Sequence, residues 1–297
     1  MTFELRRRAL TKVGEPVQRA TANTGLLLRR GLSEWPGAGN TGDVDDSGGA
    51  GIAKAALISH IAGILPDSGY CWAYRRWCQA TTDDTRFVSL ELRLLSRLYI
   101  GVVRDNPVET GVTVGHAWGM PLIPGSAIKG VARQAARQVG WPPEAIVLLF
   151  GSEPPAPKPT VDGARNAGAE SSAGAEATDS PESSAALNSE SGLIVFHDAW
   201  WIPCPDTDKN NTDKSRPFVE EVVTPHHRAY YGMGGAHASD FDSPIPAPQI
   251  AVQGRFRFVL EGPSVWREHA RILVCRALTE AGVGSKTTSG YGLFERS

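Results

Sequence analysis

Two short segments of this chain carry residue types that can hold an anion. The first is IPGSAIKG at 123–130. Pro124 and Gly125 spell a turn, Ser126 is expected to cap a helix, and Ile128, Val131, Ala132, Ala135 and Val139 recur at helical spacing, so a helix is predicted over 126–139. The unpaired N–H groups of its first turn carry partial positive charge beside Lys129, a combination that receives a phosphate. Lys129, Arg133 and Arg137 follow at intervals of four and form an outward basic row. Basic rows on capped helices are also common in proteins that bind nothing there. The second segment is GVGSKTTSGYG at 282–292. Its glycines let backbone N–H groups approach an anion, and Lys286 supplies the charge beside Gly284 and Ser285. A phosphate-binding loop of nucleotide hydrolases would open a helix after its lysine; here a strand follows, which argues against nucleotide hydrolysis. A glycine-rich turn with no ligand is the bland alternative.

Other groups invite catalysis or metal binding. His226 and His227 beside Tyr230 could move protons in a metal-independent RNA cleavage, although adjacent histidines point apart and at most one would serve. His197, Asp198, Cys204, His226 and His227 lie within a short stretch and could assemble a metal site, but they lack the paired spacing of a zinc site, and His197 and Asp198 alternate in a strand. No metal and no cofactor is expected. The four cysteines show neither CxxC pairing nor a disulfide framework. Trp118, Trp200 and Trp201 are expected in the core or at a subunit contact.

The 297 residues carry a formal charge of -2, but the charge is uneven. Seven acids stand against Lys158 and Arg165 between 151 and 191, which leaves a mild positive excess elsewhere. That excess suits a protein sharing a nucleic acid with neighbours. The same stretch is rich in Ala, Gly, Ser, Pro and Glu and poor in aliphatic residues, so it is expected to be a flexible surface insertion. No apolar run of membrane-spanning length and no secretory leader occur, so a cytoplasmic protein without membrane contact is expected.

The elements that position these segments fall into two parts. Residues 1–85 are expected to form an N-terminal arm and helical extension, with a cap at Asn23, helical spacing through IAKAALISHIAGIL, and YCWAYRRWCQA as a further helix. Residues 86–297 alternate strands with two longer helices. Strands are expected at Leu98, Ile100 and Val102; in GLIVFHDAWWI from Gly192; in IAVQGRFRFVLEG from Ile250; and in the terminal YGLFE, with helices at 126–139 and 264–280. The predicted class is α+β, an RRM/ferredoxin-like β-α-β-β-α-β core with an N-terminal helical extension and inserted loops. In the third strand Ile250, Val252, Phe256, Phe258 and Leu260 share one face, and Gln253, Arg255, Arg257 and Glu261 share the other. That second face is expected to be open and polar, meeting RNA or a partner subunit, or simply water.

VETGVTVGHAWGMPLIPGSAIKGVARQAAR, LLFGS, GLIVFHDAW and GVGSKTTSGYGLFE, in that order, resemble the RAMP superfamily of CRISPR proteins over roughly residues 86–297. EEVVTPHHRAYYG and DSPIPAPQIAV resemble, within it, the subunit type that caps the type III-B Cmr backbone at the guide 3′ end. The resemblance implies a non-catalytic subunit that binds CRISPR RNA and target RNA beside sibling Cmr subunits. It implies phosphate contacts at Gly125, Ser126 and Lys129 and at Gly284, Ser285 and Lys286. His226, His227, Arg228, Tyr230 and Tyr231 would stack on bases or anchor a loop. The alternative is a metal-independent endoribonuclease processing CRISPR RNA, as some relatives are.

Overall fold

The computed structural model describes residues 21–31, 49–102, 110–152, 191–203, 216–224 and 246–296. In chain order these form α1 (Thr24–Arg30), α2 (Gly49–Ala62), α3 (Ser68–Ala80), β1 (Phe87–Leu94), β2 (Leu122–Ile123), α4 (Gly125–Gln138), α5 (Pro143–Phe150), β3 (Val195–Phe196), β4 (Ala199–Trp201), β5 (Phe218–Val223), β6 (Ala247–Val252), β7 (Arg255–Glu261), α6 (Ser264–Glu280) and β8 (Phe294–Arg296), with a 3-10 turn at Thr287–Ser289. The result is a mixed α+β architecture.

Alternation in RFRFVLE makes β7 the middle of the main sheet. Phe256, Phe258 and Leu260 pack against the side of the sheet that carries Leu92 and Phe294, and all five are buried. The strand order is β2-β4-β7-β1-β8, with β3 also on β7, and every pairing is antiparallel. Helix α4 leaves β2 and leads through α5 towards β3, and α6 joins β7 to β8. These two long helices pack together over the phenylalanine face, where Phe294 meets Phe256 and Phe258 edge-on. Asn23 caps α1 as its sequence indicates, its Oδ1 accepting from the Leu26 N–H at 3.1 Å.

Three expectations are corrected. The first strand is β1, not the segment around Leu98 to Val102. Leu98, Tyr99 and Ile100 are buried in succession, and they make single bridges, Leu98 to Val252 and Tyr99 to Ser285. A fully enclosed connector has no exposed side and so no alternation.

The strand expected from Ile250 breaks in two at Gly254, whose φ of +106° bends the chain and whose missing side chain leaves room for the Trp201 indole. Upstream of the break, β6 pairs with β5 in a separate two-stranded sheet. Ser59 of α2 donates to Glu220 of β5 at 2.7 Å, tying the helix to that ribbon.

The third correction concerns the face expected to be open, the one carrying Arg255 and Arg257. Helix α3 covers it. Tyr70 and Trp77 both stack on Trp200, with centroids 5.9 and 6.0 Å apart, and the buried Tyr70 hydroxyl donates to the Trp201 carbonyl at 2.5 Å. Trp77 also meets His197 edge-on. The pattern in β7 distinguishes its two sides correctly, but a helix dozens of residues upstream supplies the aromatic cover.

Candidate nucleic-acid interface

Helix α4 starts one residue earlier than its sequence suggests. Pro124 occupies the cap position without a side-chain hydrogen bond, and Ser126 lies exposed within the first turn, so its expected capping role is corrected. Asp198 acts in its place: its Oδ1 accepts from the Gly125 N–H at 2.8 Å, placing a carboxylate at the positive end of the helix. Gly125 itself is buried. A Cβ there would overlap the Phe196 carbonyl, so glycine is needed for this close approach of helix and strand.

The basic row of α4 is only partly outward. Lys129 is half-buried, and burial, followed by the proximity of Arg133, pushes its ammonium below the ordinary lysine value. Arg133 turns inward and donates to the carbonyls of Phe150 and Gly151 at 2.7 and 2.9 Å, satisfying the end of α5. Its guanidinium also lies 5.7 Å from the Phe150 ring centroid. Arg133 therefore serves packing, while Ser126, Lys129 and Arg137 face outward to differing degrees.

The glycine segment forms a folded lobe. The Ser285 N–H donates to the Tyr99 carbonyl at 2.8 Å, the Val283 N–H to Gly292 at 3.0 Å, and the Ser96 hydroxyl to Gly290 at 2.6 Å. Gly284, with φ +95°, is fixed by the Tyr99 backbone, which a Cβ would overlap. Lys286 has φ +60° and is the one non-glycine residue with positive φ among the described residues. Its ammonium is 5.9 Å from the Tyr99 ring centroid, and Tyr99 packs on Tyr291 at 4.9 Å. Burial, with Tyr291 adding to it, keeps the Tyr99 hydroxyl protonated far above the physiological range. Ser285, Lys286, Thr288 and Ser289 are left exposed on a braced loop. Tyr99, Tyr291 and Ser96 are the bracing residues that sequence reasoning missed; the only hint was an aromatic residue within a glycine run.

The strand register separates the two turns. Ile123 is level with Ala199, and Trp200 with Arg257, so α4 begins near the Glu261 end of β7. The Leu94 N–H bonds to the Gly254 carbonyl and Tyr99 pairs with Ser285, so the glycine loop lies at the other end. Across the seven residues of β7 this separation is on the order of 20 Å. The two turns therefore lie at opposite ends of the sheet rather than in one convergent pocket, and the first already receives the Asp198 carboxylate.

Arg257 is largely enclosed beneath α3, 3.3 Å from Glu91, and Arg255 is half-buried at the strand start. His226, His227, Arg228, Tyr230 and Tyr231 lie outside the described residues, as do Cys204 and nearly all of the insertion 151–191. At the upper end His197 sits 3.0 Å from Glu261, which also accepts from Arg86 at 2.6 Å. Among the described residues no three His, Cys, Asp or Glu side chains group as metal ligands, and no helix is long and apolar enough to cross a membrane.

This fold, with a glycine lobe before its last strand, defines a protein class. The RAMP superfamily model matches residues 91–295, more than half the chain, and the chain belongs to that superfamily. It is similar to the CRISPR system Cmr subunit Cmr6 of Pyrococcus furiosus, 28% identical over 271 residues that cover 77% of this chain and 74% of the relative. Among solved structures it resembles a chain of the type III-B Cmr-beta complex bound to cognate target RNA, with a TM-score of 0.55 and 19% identity, covering 93% of this chain and 86% of that one. At that identity the likeness speaks for the fold.

Proposed function

We propose that this chain is a non-catalytic, CRISPR-RNA-binding subunit of a type III-B Cmr effector complex. It caps the backbone near the guide 3′ end and helps hold the guide–target duplex for antiviral RNA interference. The observation that carries this reading is the braced glycine loop, which presents exposed Ser285 and a left-handed Lys286 on a rigid base. Such a loop meets a phosphate without having to be ordered first, which lowers the entropic cost of binding. The strand order and the two crossing helices support an RRM-like β-α-β-β-α-β core at residues 86–297, with 1–85 as an extension.

The name of the Pyrococcus furiosus relative, a Cmr subunit, and the target RNA in the Cmr-beta assembly support CRISPR RNA, target RNA and sibling Cmr subunits as partners. The half-buried Lys129 and the exposed Lys286 are the expected phosphate ligands. Filter binding with a single-stranded guide tests them: Lys129→Ala and Lys286→Ala are expected to weaken retention and to flatten the salt dependence by roughly 0.7 for each phosphate no longer neutralised. Unchanged affinity and slope in both variants would refute the reading. Incubation with repeat RNA in EDTA addresses the alternative: the proposal expects no product, and a product that disappears in His226→Ala or His227→Ala would make the chain a nuclease.

A further inference from the structure

Helix α3 lies ahead of residue 91, where the superfamily match begins. Its inner face is fastened by Tyr70, Trp77 and Trp200. The outer face has a different character. Trp72 is 56% exposed, and the Arg76 guanidinium lies 4.7 Å from its ring centroid. Arg75 is exposed beside them, and the thirteen residues of α3 include no Asp or Glu. One turn earlier on the same stripe, Gly69 is packed by the Trp118 ring, which a Cβ would approach to 2.9 Å. A large aromatic ring in water with two cations nearby and no helical carboxylate to pair them is costly for a solvated surface and well suited to a polyanion with stacking bases.

The helix also lies in the right place. Tyr70 contacts Trp201, level with Phe256, and Trp77 contacts His197 towards the Glu261 end. Helix α3 therefore spans the distance between the glycine loop and the start of α4, on the face opposite α4 and α6. We infer that the outward stripe of α3, Trp72 with Arg75 and Arg76, is a further contact site for single-stranded RNA between the two ends of the sheet. A base stacks on the free face of Trp72, and the arginines meet neighbouring phosphates. This rests on the reading of the chain as an RNA-binding subunit.

The test uses the full chain and a fluorescein-labelled, unstructured 20-nucleotide RNA, with affinity read by anisotropy over a salt series. Trp72→Ala is expected to weaken binding about fivefold to a hundredfold, the range of one stacked base, while Trp72→Phe stays within about threefold of the parent because a ring is kept. Arg75→Glu with Arg76→Glu lowers the salt slope by roughly 1.4. All these side chains are exposed, and unchanged circular dichroism melting confirms the fold. If Lys286→Ala weakens binding while the Trp72 and arginine variants bind like the parent, the α3 face takes a protein partner, and the inference fails while the functional reading stands. If the parent chain binds no RNA, both fail together.

Discussion

Replacing Gly284 with alanine separates the rigidity of the glycine loop from its charge, and Gly290 provides the control. Both residues sit at positive φ, +95° and +85°, so each substitution bears a similar conformational cost of roughly 1–2 kcal/mol. Their surroundings differ. A Cβ on Gly290 meets nothing within 4 Å, whereas one on Gly284 overlaps the Tyr99 carbonyl and stands 3.0 Å from Leu98 Cδ1. Relieving that overlap moves the carbonyl by on the order of 1 Å. The Ser285 N–H bond to it, now 2.8 Å, would then pass the limit of a useful hydrogen bond. Losing that bond in a partly enclosed loop costs about 1–3 kcal/mol. Gly284→Ala is therefore expected to melt about 2–8 °C below Gly290→Ala by calorimetry. It should also weaken RNA binding, although no charge has changed. Equal melting temperatures and equal affinities for the two variants would refute the claim that the Tyr99 backbone fixes the loop.

Further outcomes follow from the same packing. Gly125→Ala should unfold or strongly destabilise the protein, because the Phe196 carbonyl occupies the space, whereas Ser126→Ala should shift stability by less than about 0.5 kcal/mol in denaturant titration, since Ser126 makes no cap. Tyr70→Phe leaves the Trp201 carbonyl without its 2.5 Å partner and should cost about 1–3 kcal/mol by the same measurement. Arg86 first, and His197 after it, hold the Glu261 carboxyl below its ordinary value. A depressed carboxylate stabilises the fold above the unfolded value near 4.5 and loses that contribution as pH falls through its lowered native value. Glu261→Gln should thus cost about 0.5–1 kcal/mol at pH 7 and steadily less as the pH falls below the unfolded value; a difference that stays constant into the acid range would contradict the ion pairing.

Local patterns were sufficient for the two long helices, the Asn23 cap and the two faces of β7, because each depends on neighbours a few residues apart and on the period of its own backbone. The superfamily was legible only as a resemblance of whole motifs in their order along the chain; the dihedral needs of its glycines indicated turns and nothing more. Tertiary structure decided the rest. Periodicity told that Arg255 and Arg257 share a side, but only the stacking of Tyr70 and Trp77 on Trp200 shows that a helix lies over it. Arg133 was expected in an outward basic row, but its guanidinium turns in to the Phe150 and Gly151 carbonyls, and Asp198 displaced Ser126 as the group at the start of α4. The distance between the two glycine-bearing turns was likewise set by antiparallel register. Each of these rests on contacts between residues far apart in the chain, and a residue's type records what it can bind, whereas the packing of distant segments determines what it meets.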